Sequence, residues 1–111
     1  MANVLVLNNR YLGKGDDALG EKLMGGFLRK IWSQETKPRT IIFYNSAVLL
    51  LAEGSSTLDA LNGLYEAGVD LIACGTCCSF FDISNKLAVG RISDMTEIAS
   101  LITTSDSVVT V

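Results

Sequence analysis

The sequence predicts an α/β protein: a three-layer α/β/α sandwich on a mostly parallel five-stranded sheet, one domain over residues 1–111. Three observations predict it. Apolar runs recur at Val4-Leu5-Val6-Leu7, at Ile41-Ile42-Phe43-Tyr44 and, broken only by Asp70, from Val69 to Ala73, and the continuous first run is the pattern of a strand covered on both faces. Amphipathic helical segments separate these runs with short links, and that alternation indicates a parallel sheet between helices. With 111 residues, 49% of them apolar, the chain can bury one hydrophobic core but not two.

Taken in order, Val4–Leu7 is the first strand. After the turn residues Gly13 and Gly15, Asp16 and Asp17 offer capping and favourable charge at a helix start. That helix carries Leu19, Leu23, Phe27 and Ile31 at four-residue spacing, the expected buried stripe, and ends before Pro38. Ile41–Tyr44 is the second strand, and Ala47 to Ala52 is expected as a short apolar helix closed by Gly54. Ser56, with Asp59 three residues on, is expected to start a helix with Leu58, Leu61, Leu64 and Tyr65 on one face and Gly68 at its stop. Val69–Ala73 is the third strand and runs straight into the cysteines. A weaker strand is expected within Leu87–Ile92. Asp94 and Glu97 have capping-box spacing before a helix to about Thr103, and Val108–Val111 closes the sheet as the fifth strand.

Composition excludes several kinds of chemistry. There is no histidine, hence no Ser-His-Asp triad, no Cys-His pair and no imidazole ligand. Nine Lys plus Arg against twelve Asp plus Glu leave a net charge of −3, which argues against nucleic acid or an anionic membrane as partner. The longest apolar run, Ile41 to Ala52, is broken by Asn45 and Ser46 and falls short of the ~20 residues of a membrane span. No basic segment leads into an apolar one at the N-terminus, so no signal peptide is expected. The three cysteines lie between Cys74 and Cys78, which suits a cytoplasmic thiol site rather than a disulfide scaffold.

In an open parallel sheet, ligands bind beyond the carboxyl ends of the strands. Those ends read Asn8-Asn9-Arg10, Asn45-Ser46, Cys74 and Ser93-Asp94, so amides, a cation and a thiol are expected to converge on one crevice. Cys74 is the leading candidate, since it sits where a buried strand gives way to Gly75-Thr76 and a helical start that would favour the reactive thiolate. The plain alternative is a small buried residue ending a strand. Cys77 is spaced as a resolving partner, and Cys78 reads as core filler. Three thiols fall short of the four ligands of a structural zinc site, so no metal is expected within the chain; a subunit-bridging metal or cluster is the rival reading. A thioredoxin-type exchanger is another reading of C-x-x-C, but the single proline, Pro38, precedes the motif.

Gly13-Lys14-Gly15-Asp16-Asp17-Ala18 matches a dinucleotide-binding glycine pattern, yet it begins several residues after the strand and places two carboxylates where a pyrophosphate would sit. A loop and helix cap is the expected role. In the helix that follows, Gly20, Gly25 and Gly26 are each unfavourable by up to ~1 kcal/mol against alanine. Its second set of apolar residues, Met24, Leu28 and Trp32, suggests cover by a neighbouring subunit and hence a homo-oligomer; the alternative is a helix wedged between the sheet and another helix of the same chain.

The segments Leu7–Gly20, Ile42–Ser46 and Cys74-Gly75-Thr76-Cys77 together resemble the DsrE-like domain of the YedF-type, sulfurtransferase-like selenium-metabolism proteins. The resemblance implies a parallel α/β domain, often oligomeric, in a family that includes sulfur-relay subunits. It implies that Cys74 receives sulfur as a persulfide and hands it on. YedF-type proteins also carry an N-terminal TusA-like domain with a Cys-Pro motif, which is absent here. The chain is thus a stand-alone relative or an excised domain, with a TusA-like carrier as a candidate partner. Cys78 stands where that family has a leucine-like residue.

The expected function is therefore a sulfur- or selenium-relay protein, with Cys74 and Cys77 as the reacting thiols. Asn9, Arg10, Asn45 and Ser46 would line the substrate crevice and stabilise anionic sulfur. Partners are persulfide donor and acceptor proteins, and thiol exchange needs no cofactor. Two alternatives belong to other classes: a non-catalytic assembly subunit, and a small-ligand module using the Asn-lined crevice.

Overall fold

The computed structural model describes residues 3–111. In chain order the elements are β1 (Val4–Leu7), α1 (Asp17–Ser33), β2 (Thr40–Phe43), a 3₁₀ segment (Asn45–Leu51), α2 (Leu58–Glu66), β3 (Asp70–Cys74), α3 (Gly75–Phe80), β4 (Arg91–Ser93), α4 (Met95–Thr104) and β5 (Val108–Thr110). The sheet has the strand order β4-β3-β2-β1-β5, and every strand pair in it is parallel.

Side-chain parity along each strand divides the interior into two apolar layers. Leu5, Leu7, Ile41, Phe43, Leu71 and Ala73 face a large layer with Met24, Leu28 and Ile31 of α1 and Ala60, Leu61 and Leu64 of α2. Val4, Val6, Ile42, Ile72 and Cys74 face a smaller one closed by Ile98, Leu101 and Ile102 of α4. Handedness explains the uneven split. The crossovers from β1 through β4 all step the same way across the sheet, so right-handed connections put their helices on one face. The β4-to-β5 connection returns across the whole sheet and leaves α4 on the other. Adjacent strands β3 and β4 therefore send their following helices to opposite faces, which is the topological switch point where such sheets open a crevice. Cys74 and Ser93 are register partners at its mouth.

Local signals place most termini. Asp16 Oδ1 accepts the Leu19 N–H at 2.9 Å to cap α1, and Asp94 Oδ1 accepts the Glu97 N–H at 2.9 Å to cap α4. Three expectations need correction. The buried row of α1 is Gly20, Met24, Leu28 and Ile31, whereas Leu19 and Leu23 are 54% and 46% exposed. The preceding loop decides this. Leu12 N–H donates to the Gly20 carbonyl at 3.0 Å, and a Cβ at Gly20 would lie 2.7 Å from Tyr11 Cβ, so the glycine row must face inward. Ser56 does not start α2; Thr57 precedes it without a side-chain cap, because its hydroxyl turns inward to the Leu50 carbonyl at 3.2 Å. The fourth strand begins late, at Arg91, because Leu87 is held in an antiparallel bridge to Ala52.

One ion cluster that the sequence did not signal ties the switch point together. The Arg91 guanidinium donates to both Asp70 oxygens at 3.0 Å and to both Glu97 oxygens at 2.9 and 2.8 Å, joining β3, β4 and α4. Ser93 Oγ also donates to Glu97. Arg91 first, and Ser93 second, hold the Glu97 carboxyl down to about 2. A carboxylate held below its ordinary value stabilises the fold above the ordinary value of 4.5, and that contribution is lost as pH falls toward about 2. The side chains are well exposed, so the effect is at most about 1 kcal/mol. Glu97→Gln should therefore lower the urea midpoint slightly at neutral pH and converge with the parent in strong acid. A gap that persists unchanged in acid would exclude this role for the charge.

Candidate thiol site

Cys74 ends β3 with its side chain in the small layer, 2% exposed. The chain turns directly into α3 at Gly75 because it crosses β4 there at close range. A Cβ on Gly75 would lie 3.0 Å from the Ser93 carbonyl oxygen and 3.3 Å from Ile92 Cγ2. One helical turn later Cys77 returns to the same side, half-buried and packed against both apolar layers. Cys78 points the other way and is fully buried in the large layer.

Cys77 is thus the thiol that meets the surface. It lines two adjoining cavities, one of about 460 Å³ walled by Tyr44, Asn45, Met95, Ile98 and Ile102, and one of about 350 Å³ walled by Asn45, Thr76, Phe80 and Phe81. The Asn45 backbone N–H donates to its sulfur at 3.0 Å. Burial pushes the Cys77 thiol up, a hydrogen bond with the Cys74 side chain adds to this, and the Asn45 N–H works against both. Cys78 is pushed up to about 11 by burial and by its two neighbouring thiols. All three cysteines are free. Among the described residues no group of three or more His, Cys, Asp or Glu side chains is placed to hold a metal ion.

The sequence model of the DsrE/DsrF-like family matches residues 28–111, from α1 through the cysteines to the last strand. The chain belongs to the DsrE/DsrF-like family. Its fold is that of the YchN protein from E. coli, which is 18% identical, with a TM-score of 0.74 and 100% of each chain covered. It is also that of MTH1491 from Methanobacterium thermoautotrophicum, a protein of unknown function, 18% identical at a TM-score of 0.70 over 97% of this chain and 96% of that one. BT1422 from Bacteroides thetaiotaomicron, 14% identical, superposes at 0.63 over 98% and 95%. No curated protein matches the chain.

In this DsrE/DsrF-like chain the crevice expected from the strand ends divides in two. Asn45, Cys74 and Cys77 come together, but Asn9, Arg10 and Ser46 form a separate knot beside β1. Arg10 N–H donates to Ser46 Oγ at 3.0 Å, Ser46 Oγ donates to Asn9 Oδ1 at 3.1 Å, and Asn9 Oδ1 also accepts the Tyr11 N–H at 3.1 Å. The Arg10 guanidinium lies over the Tyr11 ring at 5.3 Å. These groups are occupied in pinning the loop after β1 to the start of the 3₁₀ segment, and neither cavity beside Cys77 is lined by them. The reason is topological: β2 stands between β1 and β3, and the β1 loop leads to α1, while one cavity opens toward α4 and the other along α3.

Sequence reasoning missed the apolar walls supplied by Tyr44, Phe80, Met95, Ile98 and Ile102. Phe80, 82% exposed beside the thiols, carried a signal in its position next to the cysteines. The α4 residues lie far from them in sequence and carried none.

Exposure dictates an order of reactivity toward a small alkylating reagent in the folded protein. Cys77 should label first, with Cys74 and Cys78 reacting at least about tenfold more slowly until the fold opens. Residue-resolved mass spectrometry over a time course reads this directly, and prior labelling of Cys78 would contradict the burial pattern.

Proposed function

We propose that this chain relays sulfur or selenium through its Cys77–Cys74 pair. Membership of the DsrE/DsrF-like family supports the class of chemistry, and the carrying observation is Cys77, an accessible thiol held between a backbone N–H donor and a second, buried thiol. In the first step the Cys77 thiolate attacks the terminal sulfur of a donor R–S–SH. The donor S–S bond breaks, R–S⁻ leaves and takes up a proton as R–SH, and Cys77–S–SH forms without net oxidation. In the second, the Cys74 thiolate takes the terminal sulfur from Cys77, regenerating the Cys77 thiolate and leaving Cys74–S–SH shielded from solvent. An acceptor thiol reverses the route. This order gives Cys77 the entry role that the strand-end position alone suggested for Cys74, because a protein-borne donor cannot reach a side chain so deeply buried. Asn45 contributes its backbone N–H to anionic sulfur, while Asn9, Arg10 and Ser46 fix the segment that presents it.

The reaction needs only thiolates, and a reducing cytoplasmic setting keeps them available. The donor and acceptor are proteins carrying thiols, a TusA-like carrier among them, since the cavity walls are apolar and aromatic. Met24 and Leu28, offered as a face for a second subunit, are buried in the chain's own core; it is the exposed Leu19, Leu23 and Trp32 on α1 and Met95 on α4 that support a homo-oligomer and also favour the second reading, a non-catalytic assembly subunit. Offering a persulfide donor to the parent chain and weighing the intact protein separates the two. A gain of about 32 Da per sulfur is expected. A defined oligomer that never gains mass would leave the assembly reading in its place.

A further inference from the structure

The backbone is held on both sides of one residue beside the reactive thiol. Tyr44, extended at φ −136° and ψ 170°, donates its N–H to the Leu7 carbonyl at 3.1 Å. Ser46 is anchored by its hydroxyl to Asn9 and Arg10. Between them Asn45 lies in the left-handed region at φ 54°, and its N–H meets Cys77 Sγ at 3.0 Å. With both neighbours fixed, this positive φ lets the chain turn into the 3₁₀ segment while the Tyr44–Asn45 peptide keeps its N–H on the sulfur.

We propose that Asn45 is a positioning residue for Cys77, acting through its tolerance of the left-handed backbone rather than through its carboxamide. Residues with a Cβ disfavour that region, asparagine less than most and β-branched residues strongly. A residue that cannot stay there relaxes by flipping the Tyr44–Asn45 peptide plane, which returns φ to negative values and turns the N–H away from the sulfur. The N–H favours anionic sulfur over the neutral thiol, so its loss lowers the reactive fraction at neutral pH. The titratable groups around Cys77 are the Cys74 and Cys78 thiols and the Tyr44 phenol; α4 faces it with the apolar Met95, Ile98 and Ile102.

The proposal deepens the reading of Cys77 as the entry thiol and rests on that reading for its functional meaning, but its test needs no sulfur donor. Iodoacetamide alkylation rates of Cys77 are measured across pH in the full chain, located by fragment masses, for the parent, Asn45→Ala, Asn45→Val and Asn45→Gly. Alanine removes only exposed atoms and keeps the comparison open where valine unfolds the segment. Alanine and valine should slow Cys77 near neutral pH by about five- to tenfold and move its profile upward by about one pH unit. Glycine, which adopts the left-handed region freely, should rescue the parent profile. If glycine is as slow as alanine, the carboxamide is the operative group and the proposal is wrong. Parent-like profiles for alanine and valine would overturn it equally. A parent that alkylates as expected yet never accepts sulfur would remove the relay reading and leave the positioning role standing.

Discussion

Replacing Cys77 by serine is expected to abolish sulfur loading, lowering the initial rate by at least about a hundredfold, the scale seen when a nucleophile is removed. Cys74→Ala should behave differently: it should still take up one sulfur at Cys77, but the adduct should pass quickly to any added thiol because the buried store is gone. The distinction follows from burial, since Cys74 is 2% exposed and Cys77 lines two open cavities. Persulfide transfer requires in-line approach of a thiolate to the terminal sulfur, and a donor carried on another protein can make that approach at Cys77. Intact-mass time courses on both variants decide the matter. Normal loading of Cys77→Ser with none in Cys74→Ala would reverse the order and return the entry role to Cys74.

The largest stability effect is expected on α1. Leu28 is fully buried between the helix and the sheet, and Leu28→Ala should cost about 2–5 kcal/mol from lost burial and the cavity left behind. Leu23, five residues earlier and 46% exposed, should change unfolding of the isolated subunit by no more than about 0.5 kcal/mol as alanine. Leu23→Ser should instead weaken self-association, read by light scattering, if that row of α1 is covered by a second copy. Equal losses for Leu28→Ala and Leu23→Ala in denaturant titrations would mean that the helix is rotated from the orientation described.

The α1 pair shows how far the residue pattern reaches. Four-residue spacing of apolar residues identified a helix correctly, because helix formation follows neighbours along one turn. The expected row meets the core at Phe27 and Ile31 but leaves Leu19 and Leu23 exposed, because two rows were nearly equally apolar. A contact with Tyr11 and Leu12, outside the helix, chose between them. Asn45 tells the same story at the site. A polar residue after β2 marked the place, but the group that touches sulfur is its peptide N–H, and it was the anchors at Leu7 and Asn9, remote in sequence, that placed a residue tolerant of the left-handed backbone against the thiol.

Local pattern by itself determined the parallel α/β architecture, the caps at Asp16 and Asp94, and the arrival of the cysteines at the end of β3. All three depend on residues within a few positions of one another. Only the tertiary structure decided which thiol faces outward, that Asn9 and Arg10 stand apart from it, and that α4 supplies the opposite wall. Those depend on strand order and on the return of the chain across the whole sheet, which bring residues 45, 77 and 98 together. Contacts between segments so far apart are governed by packing and handedness of the whole fold, and no stretch of sequence short enough to show a period contains them.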